Sequence, residues 1–354
     1  MRVFVGTYTK SEPHVDGKAD GIYSCDFDSD TGALSIVCDP VVSQNPSYVC
    51  VHPNGQTLYA ANELVEDVCE VATFGAFRVD PSGSLELINE IASDGLAPCY
   101  VTTDREGRHL YGINYATGSV IQAPIREDGG LGEVTQKVQH EGSGPHPGQD
   151  GPHAHSIYLD PTESYAVVPD KGADRVFVYS VRSSNGRLSN ASGLDLPAGA
   201  GPRHFAFHPK GNWAYVINEL NSTITSCLWK DGQLVPFETV STLPEGYTDA
   251  NSTADIHITP DGRFLYGSNR GHDTLMGYHI DATIGALVPI GHTDCGGKVP
   301  RGFAIDPSGT WLLCAGQNSD NIVTFKIDSV QGTLSQVSEL QIPTPVCVKF
   351  APQS

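Results

Sequence analysis

The stretch GPRHFAFHPKGNWAYVINE, residues 201–219, decides how the rest of the chain is interpreted. It contains a short apolar strand, a Pro-Lys-Gly turn and a second apolar strand, which is the pattern of a β-hairpin. Arg203 lies near the start of the first strand, and Glu219 follows the end of the second. Because a hairpin brings its open ends together, we expect these two charged side chains to be neighbours.

The same hairpin pattern recurs along most of the chain. Six first strands with their turns share it: VCVHPNG from residue 49, VTTDREG from 101, IYLDPTE from 157, FAFHPKG from 205, IHITPDG from 256 and FAIDPSG from 303. Each is followed by an apolar second strand, and the steps between starts are 52, 56, 48, 51 and 47 residues. A seventh first strand, VKFAP from residue 348, runs out of chain, whereas VFVGTY from residue 3 resembles a second strand without a first.

This repeat predicts the fold. Each step also holds two further strand-like segments, and four strands at such a period are typical of a β-propeller blade. We therefore predict an all-β, seven-bladed β-propeller with four antiparallel strands per blade. Its ring is closed by pairing of the N- and C-terminal strands, which removes open sheet edges. Residues 1–354 are predicted to form a single domain, and the longest insert, residues 128–151, is expected to lie over one end of the ring.

Composition restricts the class of partner. The chain has 354 residues, with 21 Lys and Arg against 41 Asp and Glu, for a formal charge of −20. Nucleic acids and anionic membranes need a basic protein face, so neither is expected as a partner. The acidity itself fits a self-repelling surface, and we expect a monomer or a weak homo-oligomer.

The cysteines and the N-terminus indicate the compartment. Nine Cys are spread through the sequence without a Cys-x-x-Cys pair, and several lie in apolar strand patterns. Reduced, buried thiols fit this pattern better than disulfides or a thiolate zinc site. The chain enters a strand directly at its N-terminus, and no apolar segment approaches membrane-spanning length. These features predict a cytoplasmic protein.

In a propeller the first strands line the central channel, so the residue six before the turn proline should recur around one mouth. This first ring consists of Ser47, Cys99, His155, Arg203, Ala254, Arg301 and Val346. The ends of the second strands are expected to supply a second ring at the same mouth: Glu63, Tyr115, Asp170, Glu219, Arg270, Gln317 and Tyr8.

The two rings are rich in charge where a purely structural channel would be apolar. Charges in a partly desolvated site are costly unless they are paired or used. One interpretation is an ion-pair network between blades that locks the ring. The other is an electropositive pocket for a small carboxylate or phosphate, because Arg side chains converge there.

His153 and His155 could face one side and bind a metal, but the nearby Arg residues would repel a cation, so no metal and no cofactor are predicted. His208, His257 and His272 are interpreted as turn or core residues.

Around the two rings the sequence resembles a known family, the lactonases of seven-bladed propeller fold. The family includes propeller-type 6-phosphogluconolactonase and 3-carboxy-cis,cis-muconate lactonizing enzyme. The motifs that carry the resemblance are VGTYT from residue 5, GPHAHS from 151, GPRH from 201, FHP from 207, YVINEL from 215, SNRGHD from 268 and PRGFA from 300. The resemblance implies His155, Arg203, Glu219 and Arg270 as active-site residues. The Pro-His-Ala-His and Asn-Glu-Leu segments of these motifs favour lactonases over cyclising enzymes.

The resulting hypothesis is hydrolysis of a small anionic lactone. His155 would act as general acid or base, and Glu219, its pKa raised by desolvation, would orient it or serve as the base instead. Arg203 and Arg270 would hold the oxyanion or the anionic group of the substrate. The remaining pocket residues would be substrate-binding: His153, Asp170, Arg301, Glu63 and Gln317. A cycloisomerase acting on a muconolactone and a non-catalytic binding platform are the alternatives.

Overall fold

The computed structural model describes residues 1–65 and 71–352, apart from the side chains of residues 190 and 191, and the described part is all-β. The N-terminal segment contains β1 (Arg2–Thr7), β2 (Ser11–Glu12), β3 (Val15–Asp16), β4 (Gly21–Phe27), β5 (Leu34–Ile36) and β6 (Val41–Val42). Among the described strands, β2 and β3 pair only with each other, as a small hairpin inserted between β1 and β4.

Six four-stranded antiparallel sheets follow in chain order. Blade 1 is β7 (Pro46–Val51), β8 (Thr57–Asn62), β9 (Thr73–Val79) and β10 (Leu85–Ala92). Blade 2 is β11 (Pro98–Thr103), β12 (His109–Asn114), β13 (Ser119–Pro124) and β14 (Gln136–Gln139). Blade 3 is β15 (Tyr158–Leu159), β16 (Tyr165–Asp170), β17 (Arg175–Val181) and β18 (Leu188–Asp195).

The second half repeats the arrangement. Blade 4 is β19 (Pro202–Phe207), β20 (Trp213–Asn218), β21 (Thr223–Lys230) and β22 (Gln233–Ser241). Blade 5 is β23 (Ser252–Ile258), β24 (Phe264–Arg270), β25 (Thr274–Ile280) and β26 (Leu287–Asp294). Blade 6 is β27 (Pro300–Ile305), β28 (Trp311–Gly316), β29 (Asn321–Ile327) and β30 (Leu334–Gln341), and β31 (Pro345–Phe350) ends the series.

The seventh blade is shared between the termini, as the sequence predicts. Strand β31 pairs antiparallel with β1, and the sheet continues through β4 to β5. The predicted seven-bladed propeller with terminal closure is therefore confirmed. Residues 128–151 do not form one long insert, because Gln136–Gln139 within them is the outer strand of blade 2.

Neighbouring blades are held together by a recurring tyrosine. The fully buried Tyr215 of β20 donates its hydroxyl hydrogen to the Gly285 carbonyl in the β25–β26 turn of the next blade, at 2.8 Å. The equivalent tyrosines make the same bond: Tyr59 to Gly129, Tyr111 to Gly186 and Tyr266 to Gly332. A buried tyrosine needs a partner for its hydroxyl, so the repeated Tyr in the second strands serves packing between blades.

No disulfide joins the eight described cysteines, and Cys69 lies outside the described residues. That the thiols are reduced stays a prediction. Within the described ranges, no helix is long and apolar enough to cross a membrane.

Candidate active site

The first ring is built by β-bulges at the start of the inner strands. In blade 4, Pro202 pairs with Asn218 and His204 pairs with Ile217, so Arg203 between them has no partner in β20. The pairing skips the ring residue in the same way at Ser47, Cys99, Arg301 and Val346. A bulge re-aims a side chain, and here it turns the ring residue toward the channel axis.

The first-ring side chains meet around a narrow cavity on the axis, and this end of the channel is called the mouth below. The cavity is lined by Ser47, Cys99, His155, Arg203, Arg301 and Val346, together with Glu63 of the second ring. Arg203 is 2% exposed, which is unusual for arginine unless it is paired. Six of the seven predicted first-ring residues therefore line one cavity, and Ala254 is not among its lining residues.

Glu219 is the centre of the charge network at the mouth. Its Oε2 lies 2.9 Å from Arg203 Nε and 3.0 Å from Arg270 Nη2, and its Oε1 lies 3.5 Å from Lys171 Nζ. The predicted neighbourhood of Arg203 and Glu219 is thus confirmed. Blade 5 fixes the arrangement further, because Arg270 Nη2 also donates to the Thr253 carbonyl and the Thr253 amide donates to the Glu219 carbonyl.

Lys171, and not Asp170, occupies the second-ring position of blade 3, so the sequence-based assignment of Asp170 is wrong. Asp170 pairs with Ala154, in the register that Asn218 has with Pro202. Its carboxylate is fully buried, bonded to His140 at 2.7 Å and to three backbone amides of residues 153, 172 and 173. Asp170 is therefore a structural group behind the mouth. Lys171 lies at the mouth and donates to the Tyr115 hydroxyl at 2.6 Å.

The opposite side of the mouth is built around Glu63. Its Oε2 accepts a hydrogen bond from Tyr8 at 2.8 Å, and its Oε1 accepts one from Arg301 at 3.4 Å. The β2–β3 hairpin adds two residues that sequence reasoning missed, since His14 Nε2 lies 4.0 Å from Glu63 Oε1 and the buried Glu12 Oε2 lies 3.8 Å from His14 Nδ1. The hairpin lies outside the repeat, so the repeat could not indicate them.

His153, His155 and Gln317 occupy different surroundings. His155 is buried, with its imidazole 5.3 Å from that of His204. His153 lies at the rim, stacked on Tyr115, and its Nε2 is 3.0 Å from Asp150. The two histidines therefore do not form the pair that a shared face would give. Gln317 is buried at the second-ring position and donates to its neighbour Asn318 at 3.0 Å.

The electrostatics of Glu219 differ from the sequence-based expectation. Burial alone would raise the pKa of Glu219, but Arg270, Lys171, Arg203 and Arg301 outweigh it and hold that pKa well below its usual range. A raised pKa, as the sequence suggested for a closed mouth, does not occur because so many cations surround the carboxylate. Glu219 is thus an ionised anchor for cations and a weak proton acceptor.

His155 is held in its neutral form. Burial, followed by the charge of Arg203, brings the pKa of His155 well below 6.5, and His204, Arg301 and Lys171 add to the effect. A neutral imidazole can accept a proton from water. An anion bound among these cations would offset their repulsion and make the imidazole a stronger base.

The fold and the site identify the class of protein. Residues 2–350 match the family described as "Lactonase, 7-bladed beta-propeller", and the chain belongs to this family. It is 34% identical to the 6-phosphogluconolactonase of Bacillus subtilis, over 99% of this chain and 98% of that protein. A 6-phosphogluconolactonase of Formosa agariphila is also 34% identical, with 95% of each chain covered. The solved structure of the periplasmic gluconolactonase of Pseudomonas aeruginosa superimposes with a TM-score of 0.92 at 31% identity, covering 99% of this chain and 98% of that one.

Proposed function

We propose that the protein hydrolyses the lactone of a sugar acid that carries an anionic group, with the mouth of the channel as its active site. The observation that carries this proposal is Glu219 with Arg203, Arg270 and Lys171 around it, within a protein whose formal charge is −20. The activities for which its relatives are named, 6-phosphogluconolactonase and gluconolactonase, support the same reaction class.

The reaction needs an activated water and a stabilised oxyanion. Water attacks the carbonyl carbon, the ring C–O bond breaks, and the leaving alkoxide takes up a proton as the carboxylic acid ionises. In the proposed scheme neutral His155 accepts the proton of the water and passes it to the leaving alkoxide, and Arg203 and Arg270 stabilise the oxyanion. Glu219 fixes the two guanidinium groups in place before the substrate arrives, so little reorganisation is needed in the transition state.

The remaining residues of the mouth are proposed to bind substrate. Lys171 and Arg301 would hold the anionic group as charged donors. Glu63, Gln317 and His153 would accept or donate hydrogen bonds to the substrate hydroxyls. Asp170 is left out of this set because its carboxylate is used within blade 3.

We further infer a place for the reaction in cytoplasmic carbohydrate metabolism, in the pentose phosphate pathway. The unpaired state of the described cysteines supports a reducing compartment. The relatives named 6-phosphogluconolactonase support the pathway. Fractionation of cells that express the protein, probed with an antibody, tests the compartment.

The test of the reaction is a side-by-side assay of 6-phosphogluconolactone, gluconolactone and a carboxymuconolactone. We expect hydrolysis of a sugar-acid lactone, and Arg203→Ala should lower kcat about 100- to 1000-fold, the usual effect of removing an oxyanion donor. Arg78→Ala, which removes an exposed arginine paired with Glu86, is the control and should retain full activity. Near-normal turnover by Arg203→Ala contradicts the scheme, and selective action on the muconolactone indicates a cycloisomerase.

A further inference from the structure

We propose that His204, oriented by Asp255, is a positioning residue that holds the Arg203 guanidinium in the mouth. The proposal rests on the proposed function for its kinetic consequence, but the placement of Arg203 can be measured independently. Neither residue belongs to the two rings, and both lie one layer deeper in the channel, where they line the same cavity.

His204 contacts Arg203 through one nitrogen and Asp255 through the other. Its Nδ1 lies 2.7 Å from Asp255 Oδ1, and its Nε2 lies 3.3 Å from Arg203 Nη1. Burial, together with the nearby Arg203 charge, lowers the pKa of His204 to about 4, so the imidazole is neutral at pH 7 and carries one hydrogen. The acceptor Asp255 requires that hydrogen on Nδ1, which leaves the Nε2 lone pair for the arginine.

Asp255 is well fixed for this role. The carboxylate is buried and accepts hydrogen bonds from His204, from His257 Nε2 at 3.1 Å and from the backbone amides of Ile256 and Phe303 at 3.0 and 3.1 Å. Donors from three blades therefore hold its two oxygens. A carboxylate with so many donors stays ionised and cannot turn away from the histidine.

An irregularity in blade 5 creates both contacts. Thr253 pairs with Asn269 and Ile256 pairs with Gly267, so residues 254 and 255 are unpaired against β24. The Ala254 carbonyl is thereby free to accept from Arg203 Nη1 at 2.5 Å, and Asp255 faces His204. Alanine at this first-ring position also leaves room for the long Arg203 side chain. Arg203 is thus held by Glu219 on one side and by blade 5 and His204 on the other.

The test compares His204→Ala with His204→Gln. We expect His204→Ala to lower kcat about 10- to 100-fold with KM nearly unchanged, as is typical when a supporting residue is lost. Glutamine can present an oxygen acceptor near the Nε2 position, so His204→Gln should restore most of the loss. His208→Ala is the control, because His208 is also buried in blade 4 but bonds the Gly262 carbonyl away from the mouth, and its kcat should not change.

Two further measurements separate positioning from other roles. In an Arg203→Ala background, removal of His204 should cost no further activity. In crystals of His204→Ala, the Arg203 guanidinium should move away from Glu219, which is a readout that needs no substrate. Unchanged Arg203 geometry, normal kcat in His204→Ala, or a full additional loss in the double variant overturns the proposal. Failure of the wild-type protein to hydrolyse any lactone contradicts the proposed function alone.

Discussion

At the scale of single residues, the mouth shows how neighbours decide what an ionisable group can do. Glu219 and Glu12 have the same side chain, but cations surround Glu219, whereas Glu12 is buried beside Glu63. The pKa of Glu219 is consequently held low, and burial followed by the Glu63 charge raises the pKa of Glu12 to about 7. Glu12 Oε1 accepts a hydrogen bond from Asn45 at 2.9 Å, and the Val65 backbone also bonds the carboxylate, but these contacts lower its pKa less than burial and Glu63 raise it.

The raised pKa of Glu12 predicts a pH-dependent cost in stability. The folded protein keeps the Glu12 proton up to about pH 7, whereas an ordinary glutamate loses it near 4.5. Between these values the folded state binds more protons, so the free energy of unfolding falls as pH rises. Glu12→Gln should therefore become more stable relative to wild type from pH 5 to pH 8, measured by urea denaturation. If the difference in unfolding free energy between Glu12→Gln and wild type were the same at pH 5 and pH 8, Glu12 would not ionise between these pH values.

Some residues of the mouth can be predicted from the repeat in the sequence, whereas others cannot, and the reason lies in how each residue is positioned. His155, Arg203, Glu219 and Arg270 lie at fixed offsets from the turn prolines, so the repeat placed them. Lys171 lies at the same offset of ten residues from Pro161, but Asp170 directly follows the apolar residues 166–169 of β16, so the strand pattern alone points to Asp170. His204 and Asp255 act through contacts between blades, which a periodic pattern does not contain.

At the scale of elements, the inner strands pack so closely that they leave no room for side chains on some faces. Gly302 in β27 follows Arg301, and a Cβ added there would lie 2.4 Å from the Val346 carbonyl of β31. Backbone atoms cannot move aside as a flexible side chain can. The glycine is thus required by close approach of two strands, and it allows the neighbouring bulge to aim Arg301 at the mouth.

Gly302→Ala should therefore destabilise the fold by about 1–3 kcal/mol, the range seen when atoms are forced into a packed interior. Denaturant unfolding measures this effect, and the displaced Arg301 should also weaken substrate binding. Gly151→Ala is the matched control, because a Cβ there meets no atom within 4 Å and the backbone angle is ordinary. Equal stabilities of the two variants would show that β27 and β31 can separate without cost.

At the scale of the whole molecule, closure depends on β31. This strand supplies the buried Val346, Cys347 and Val348 and covers the edge of β1. The sequence predicted this closure because the seventh repeat is divided between the termini. That residues 1–354 form one domain stays a prediction, as do the oligomeric state and the absence of nucleic-acid, membrane and metal partners.

A chain that ends after residue 344 should lose cooperative thermal unfolding, because β1 would expose an open edge and its apolar side chains. Differential scanning calorimetry measures the transition. A chain that ends after Pro352 keeps β31 and serves as the control. A sharp transition at the wild-type temperature in the shorter chain would mean that six blades and an open sheet are sufficient.

The division of blade 7 between the two termini also sets an order of events on the ribosome. β1 is translated before blades 1 to 6, but its partner β31 follows them, after a delay on the order of 20–70 s at 5–20 residues per second. Blades 1 to 6 can form successively during that time. The mouth takes Tyr8 from the segment after β1 and Val346 from β31, so its two rings are complete only after β31 has been translated behind blades 1 to 6.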